Sequence, residues 1–349
     1  MEDELYGLIT KLSNAHGISG YEDEIREIIR EELEDHVDDI KVDNMGNIIC
    51  TKNGSKPEIM LASHMDEIGF MVKYIDDKGF LRFAAIGGWF DQLALGQRVV
   101  LHGDKGDCYG VIGSKPPHLM KNDEKKKAVE IKDMFIDIGA SSKDEAKEMG
   151  IDVGTTITLD REIARSGKKI TGKALDDRAG IAGMIEAVRQ AKTNSTIYAV
   201  GTVQEEVGLK GARTSAFAIE PDVAIAIDVC VATDFPGGDT AYMDIKLGEG
   251  PAITVADASG RGIITSKKVL QWLKTSAEDN QIPHQMEVAE GGTTDATAIH
   301  LTKAGIPTGV VSIPSRYIHS PVEVIDPQDL KNTSLLVARA IESADNHFK

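Results

Sequence analysis

Apolar positions along this chain alternate between two periods. Leu5, Leu8, Ile9 and Leu12 recur at i, i+3, i+4 and i+7, which predicts a first helix. Ser19-Gly20-Tyr21-Glu22 reads as a capping box that opens a second helix, with Ile25, Ile28, Ile29 and Leu33 as its buried face. The period then drops to two. Ile40-Lys41-Val42-Asp43 and Asn47-Ile48-Ile49-Cys50 predict strands around the turn Asn44-Met45-Gly46. Ile59-Met60-Leu61-Ala62 predicts a buried strand that runs straight into Ser63-His64-Met65-Asp66-Glu67.

From about Phe70 to Arg165 the pattern is of short alternating segments broken by glycine. Examples are Arg98-Val99-Val100-Leu101-His102-Gly103 and Cys108-Tyr109-Gly110-Val111-Ile112-Gly113. Evenly spaced strands with turn signals predict a small β-rich unit, with one short helix over Ser142–Met149. After Gly167 strands and helices alternate. A helix over Ala179–Ala191 is followed by strands at 196–203 and 223–227, a helix over Ser266–Asn280, and a strand at 308–313. A final helix opens at Asp326-Pro327, a cap followed by proline at the first helical position. The fold class expected is therefore α/β: a mixed, largely parallel sheet with helices on both faces. Residues 1–68 and 167–349 form it as one discontinuous domain, interrupted by a β-rich, barrel-like insertion over 69–166.

Composition narrows the function classes. Asp and Glu number 56 against 39 Lys and Arg, a net charge of −17, so the surface repels phosphate backbones and no nucleic-acid partner is expected. No apolar run approaches the roughly 20 residues of a membrane helix. Met1-Glu2-Asp3-Glu4 has no basic stretch ahead of an apolar core, so no secretory leader is expected. Cys50, Cys108 and Cys230 are odd in number, far apart and form no Cys-x-x-Cys, which fits a reducing cytoplasm.

The chemistry lies just past the predicted strands. Strand 59–62 leads to His64 and Asp66, strand 196–203 to Glu205 and Glu206, strand 223–227 to Asp228, and strand 308–313 to His319. Asp176 and Asp177 precede the helix over 179–191. Parallel strands share a C-terminal edge, and open α/β sheets bind ligands in the crevice there. Each residue alone has an ordinary reading: Glu205-Glu206 as a solvated turn, Asp176-Asp177 as a helix cap, His319 as a loop histidine, Cys230 as a small buried residue. Together they bring imidazole and carboxylate to one edge from five segments. That set suits zinc, cobalt or manganese, and its carboxylate count exceeds what one tetrahedral zinc uses. Two ions sharing a carboxylate use it fully. Glu290-Gly291-Gly292-Thr293-Thr294-Asp295 reads either as a pocket segment or as a turn into a helix over 295–303. Asp257-Ala258-Ser259-Gly260-Arg261-Gly262 lacks the lysine and glycine spacing of a phosphate loop.

The segments His64-Met65-Asp66-Glu67-Ile68-Gly69, Lys173 to Gly180, Val203-Gln204-Glu205-Glu206-Val207-Gly208 and Ile318-His319-Ser320-Pro321 together resemble those of the tetrahedral (TET) aminopeptidases, within the clan of two-zinc exopeptidases. The resemblance spans nearly the whole chain and implies that clan's fold. It implies two divalent ions per subunit, zinc or cobalt. His64 and Asp228 would bind the first ion, Glu206 and His319 the second, and Asp176 would bridge, joined to Asp177 by a cis peptide. Asp66 would orient the His64 ring. Glu205 would be general base and then general acid in metal-activated water attack on an N-terminal peptide bond. Short peptides are the implied substrates, the inserted unit the dimerisation domain, and a tetrahedral dodecamer built from dimers the implied assembly. Another amide hydrolysis of the clan, by a carboxypeptidase or deacylase, shares this metal set. A glycosidase such as an endoglucanase would use two carboxylates without a metal, and leaves His64 and His319 without work.

Overall fold

The computed structural model describes residues 2–238, 241 and 243–348. Its first part holds helices α1 (Glu2–Asn14) and α2 (Asp23–Leu33), then strands β1 (Asp39–Val42), β2 (Ile48–Lys52) and β3 (Ser55–His64). There follow β4 (Gly69–Ile75), β5 (Leu81–Ile86), β6 (Arg98–Gly103), β7 (Gly106–Gly113), β8 (Phe135–Asp137), helix α3 (Lys143–Glu148) and β9 (Thr156–Leu159). After these come β10 (Ala164–Ser166), β11 (Lys169–Gly172), α4 (Leu175–Gln190), β12 (Ser195–Thr202), α5 (Lys210–Ile219) and β13 (Val223–Val231). The last stretch is β14 (Ala252–Ala256), α6 (Lys267–Asp279), β15 (Gln285–Val288), α7 (Ala296–Ile299), β16 (Thr308–Arg316), β17 (Glu323–Ile325) and α8 (Pro327–His347).

Strands β4 to β9 close into a six-stranded antiparallel barrel around a core of its own that includes Phe70, Phe83, Leu101, Ile112, Ile136 and Ile157. The remaining eleven strands form one sheet, in the order β1-β2-β12-β3-β13-β16-β17-β11-β10, with β14 and then β15 branching off β16. At its centre β12, β3, β13 and β16 are mutually parallel. The expected α/β sheet and barrel are both present.

Alternation along the central strands sorts their side chains between two helical layers. In β3, Ile59 and Leu61 join the core shared with α1, α2, α4, α6 and α8, while Met60 and Ala62 pack with Ala212 and Ala216 of α5 and Ala298 and Ile299 of α7. In β13, Val223, Ile225 and Ile227 take the first side and Ala224 the second. Both faces of these strands are therefore apolar, which is why they read as continuous hydrophobic runs.

Three expectations change. Ser19 does not cap α2: the helix begins after Glu22 with no side-chain cap, and the Ser19 hydroxyl donates to Asp66 instead. The helix over 295–303 shrinks to Ala296–Ile299, because Lys303 has φ 51° and Gly305 turns the chain back toward β16. Strands β10, β11, β14, β15 and β17 and helix α5 (Lys210–Ile219) are present in addition to the expected elements. The Asp326 cap is as expected, with its side chain accepting from the Gln328 amide.

Candidate metal centre

Four parallel strands aim their C-termini at one edge. Thr202 lies opposite His64, Ala62 opposite Ala226, and Asp228 opposite Ser312. His64 and Asp228 thus stand level, two residues past a paired row, on the face covered by α5 and α7. Asp176 arrives from the first turn of α4, where it and Asp177 have non-helical torsions and are joined by a cis peptide. Glu205 and Glu206 follow β12, and His319 follows β16. Ala174, Gln204, Tyr317 and His319 all hold positive φ without being glycine, so the turns that present these groups are strained and held by their surroundings.

The expected metal residues meet in two groups. Ligand atoms of His64, Asp176 and Asp228 lie within 4.8 Å of one another, and so do those of Asp176, Glu206 and His319. Asp176 belongs to both. Its Oδ1 is 3.1 Å from His64 Nε2 and its Oδ2 3.4 Å from His319 Nε2. His319 Nε2 is also 3.3 Å from Glu206 Oε1. Glu205 belongs to neither group, and its Oε2 stands 3.9 Å from His64 Nε2. Cys230 is buried, uncrosslinked and outside both groups.

A second layer of polar residues fixes these groups. His64 Nδ1 donates to the main-chain carbonyl of Asp66 at 3.0 Å, which leaves the Nε2 lone pair for the cluster. The Asp66 carboxylate is 3.6 Å from that ring, and its nearer partners are the Ser19 hydroxyl at 2.6 Å and the amides of Glu205 at 3.0 Å and Glu206 at 3.2 Å. Asp66 therefore sets the positions of both glutamates as well as of the histidine. Asp177 turns away from the clusters: it accepts from the Gly180 amide, the His64 amide and the Ser63 hydroxyl. It caps α4 and braces β3, so the cap and ligand readings of the Asp176-Asp177 pair divide between the two residues.

Residues without an expected role complete the frame. Glu323 accepts the Asp176 amide through one oxygen and the His319 amide through the other, tying two members of the clusters from distant segments to one carboxylate. Asp295 accepts from Thr202 at 2.5 Å. Glu67 takes Lys173 Nζ at 2.8 Å on each oxygen, with Arg178 Nη2 at 3.4 Å, all three fully or almost fully buried. The signal for Glu67, Lys173 and Arg178 is that they flank ligands inside the motifs. For Glu323 it is only its place four residues past His319.

The electrostatics call for cations. Burial opposes charge on the His64 ring, yet the Asp176 carboxylate, which accepts at Nε2, and the nearby Asp66 carboxylate outweigh it and hold its pKa well above the usual value. His319, likewise opposed by burial but held by Asp176 and Glu206, is raised to about 11. Asp176 is driven the other way: burial raises it, and the two imidazoles more than reverse that. Burial pushes Glu205, Asp228 and Glu206 upward. Such crowding of buried carboxylates is costly unless positive charge enters. Two imidazoles and three carboxylates, one of them shared, fit a pair of divalent ions with nitrogen and oxygen donors. The paired centre also opens into a cavity of about 640 Å³ lined by His64, Glu205, Asp228, His319 and the glycine-rich segment 291–294. That segment is thus both a pocket wall and a turn into α7. No helix among the described residues is long and apolar enough to cross a membrane.

Comparison with known proteins places this geometry. The structure superimposes on the aminopeptidase APDkam598 of the archaeon Desulfurococcus kamchatkensis with a TM-score of 0.94, at 47% identity, covering 98% of this chain and 95% of that one. It matches the TET1 peptidase of Pyrococcus horikoshii, described as assembling into a tetrahedron or a large octahedral shell, with a TM-score of 0.87 at 37% identity, over 97% and 99% of the two chains. Lysyl aminopeptidase of Pyrococcus furiosus is 38% identical over 96% of each chain. The family model for M42 glutamyl aminopeptidase matches residues 46–336. With a di-metal site formed by two groups that share Asp176, and relatives aligned from end to end, this chain belongs to the M42 glutamyl aminopeptidase family of metallopeptidases.

Proposed function

We propose that the chain removes single residues from the N-termini of short peptides, with His64 and Asp228 holding one divalent ion, Glu206 and His319 the other, and Asp176 bridging. The observation that carries this reading is the division of Asp176, one oxygen facing His64 and the other facing His319. The chemistry a filled centre supplies is activation of a water and polarisation of the first peptide carbonyl.

Glu205 moves the proton. It stands beside both groups without joining either, almost wholly buried, with burial pushing its pKa well above the usual carboxylate range. From that place its carboxylate takes a proton from the attacking water and returns it to the leaving amine. Asp66 keeps Glu205 in reach by holding its amide, and it positions His64 through its carbonyl. Glu205→Gln keeps that amide contact and removes the base. Its kcat is expected to fall by about 10²–10⁴-fold with both metals still bound. Hydrolysis of N-acylated amino acids but not of amino-acid anilides by the metal-loaded enzyme would refute the aminopeptidase assignment.

Residues 69–166 act as a dimerisation domain, and dimers assemble into a closed dodecamer that admits unfolded peptides. Supporting this are the exposed Tyr74, Tyr109, Val111 and Val153 on the barrel, and the shells formed by the Pyrococcus horikoshii relative. Three free cysteines support a reducing compartment, the cytoplasm.

A further inference from the structure

The strand row that carries Asp228 continues away from the metal centre. Asp228 lies opposite Ser312 of β16, and Ser312 opposite Ala252 of β14. Two residues further along β14, Thr254 lies opposite Glu287 of β15. Period two keeps Asp228, Ser312, Thr254 and Glu287 on one face. Three strand spacings separate β13 from β15 and Thr254 lies two residues along from the Asp228 row, so Glu287 stands roughly 16 Å from Asp228. One cavity joins them: the pocket lined by Glu205 and Asp228 is also lined by Thr254, Asp257 and Glu287.

These two outlying carboxylates are buried and short of partners. Glu287 is 5% exposed and accepts from Thr254 Oγ1 at 2.6 Å. Asp257 is 4% exposed. Its Oδ1 accepts from the Ile263 amide at 2.5 Å, while its Oδ2 is buried with no hydrogen-bond partner among the described residues. Burial, and then the charge of Asp257, push the Glu287 pKa up. No Lys or Arg lines the cavity among the described residues. Uncompensated carboxylates in such a place are costly, and a cation entering the cavity offsets that cost. A third carboxylate entering would add to it.

We propose that Glu287 and Asp257 receive the side chain of the substrate's first residue and select peptides that begin with lysine or arginine; this rests on the aminopeptidase reading above. With the scissile carbonyl at the metal centre, the first side chain branches from the carbon beside it, at the mouth of this cavity. A long stem ending in a cation crosses the apolar stretch past Cys230 and Ala289 and brings its charge to the two carboxylates. A short side chain leaves the negative charge of Glu287 and Asp257 without a cation, and an acidic one adds to it.

The test uses the full-length, metal-loaded enzyme and compares kcat/KM on the p-nitroanilides of lysine, arginine, leucine and glutamate. Lysine and arginine are expected to exceed leucine by at least about tenfold, with glutamate lowest. Glu287→Gln and Asp257→Asn each retain an oxygen for the Thr254 and Ile263 contacts. The lysine-to-leucine ratio is expected to drop by at least about tenfold in one or both. Leucine or glutamate matching lysine and arginine in the wild type overturns the proposal, as does a ratio that stays within about twofold in both variants. Failure to cleave any anilide is a separate result, and it removes the aminopeptidase reading along with this one.

Discussion

Replacing Glu67 by glutamine tests whether a buried ion cluster holds the floor of the site. Among the described residues Glu67 is the one carboxylate bonded to both Lys173 and Arg178, and the three side chains are between 0% and 2% exposed. The cations have other partners, but these are neutral carbonyls: Ala15 for Lys173, and Leu12, Ala15, Gly17 and Met65 for Arg178. Glutamine would leave two like charges in a site closed to water. Breaking a buried pair on one side costs about 3–5 kcal/mol, far more than the 0–1 kcal/mol of an exposed pair. At a urea slope of about 3 kcal/mol/M, the unfolding midpoint should fall by roughly 1–1.7 M. Amide exchange at residues 15–17 and in the first turn of α4 should accelerate by about 150–5,000-fold if opening there is sub-global. Lys173→Met in the Glu67→Gln background should recover part of the loss, a coupling of about 0.5–3 kcal/mol. A midpoint within about 0.2 M of wild type, with unchanged exchange, would sink the argument, because it would mean the carbonyls alone solvate both cations.

Metal stoichiometry tests the bridge. Asp176→Asn should deplete both ions, whereas His319→Ala should leave about one per subunit, read by elemental analysis after dialysis; equal depletion by both variants would deny Asp176 its double duty. Glu22 supplies a pH prediction. Burial, then the charge of Asp66, raises its pKa to about 7, although the Gly20 and Gln204 amides both donate to its Oε1. A carboxyl raised in the fold adds stability that is fully present below its unfolded pKa of about 4.3 and is lost as pH climbs through about 7. Glu22→Gln keeps an oxygen for both amides, so its denaturation midpoint should decline less than that of wild type between pH 5 and pH 8; parallel declines would refute the assignment.

The parts of this molecule that were legible in its sequence share a cause. Buried parallel strands need apolar side chains on both faces, so Ile59–Ala62 and Val223–Ile227 announce themselves, and the polar residues that follow them mark the sheet edge. The groups that brace the site left no such trace. Glu323 sits on a three-residue strand too short to show a period, and what selects it is the coincidence of two amides from Asp176 and His319. Ser19 misled for the opposite reason. Its spacing to Glu22 is that of a capping box, but a buried carboxylate 47 positions later takes its hydroxyl. Asp257 and Glu287 are ordinary acidic residues until strand pairing sets β14 beside β16 and β15 beside β14.

Asp66 acts as a ruler. Its carbonyl is anchored to the His64 ring and its carboxylate to the amides of Glu205 and Glu206, so the distance from His64 to the two glutamates is carried by the covalent length of one residue. Relatives could therefore repack the hydrophobic layers beneath β3 and β12, or shift the helices on either face, without retiming the chemistry above. The same economy concentrates risk: at this position a side chain one carbon longer would displace two glutamates together while the histidine stayed on the carbonyl, and the spacing between them would be lost.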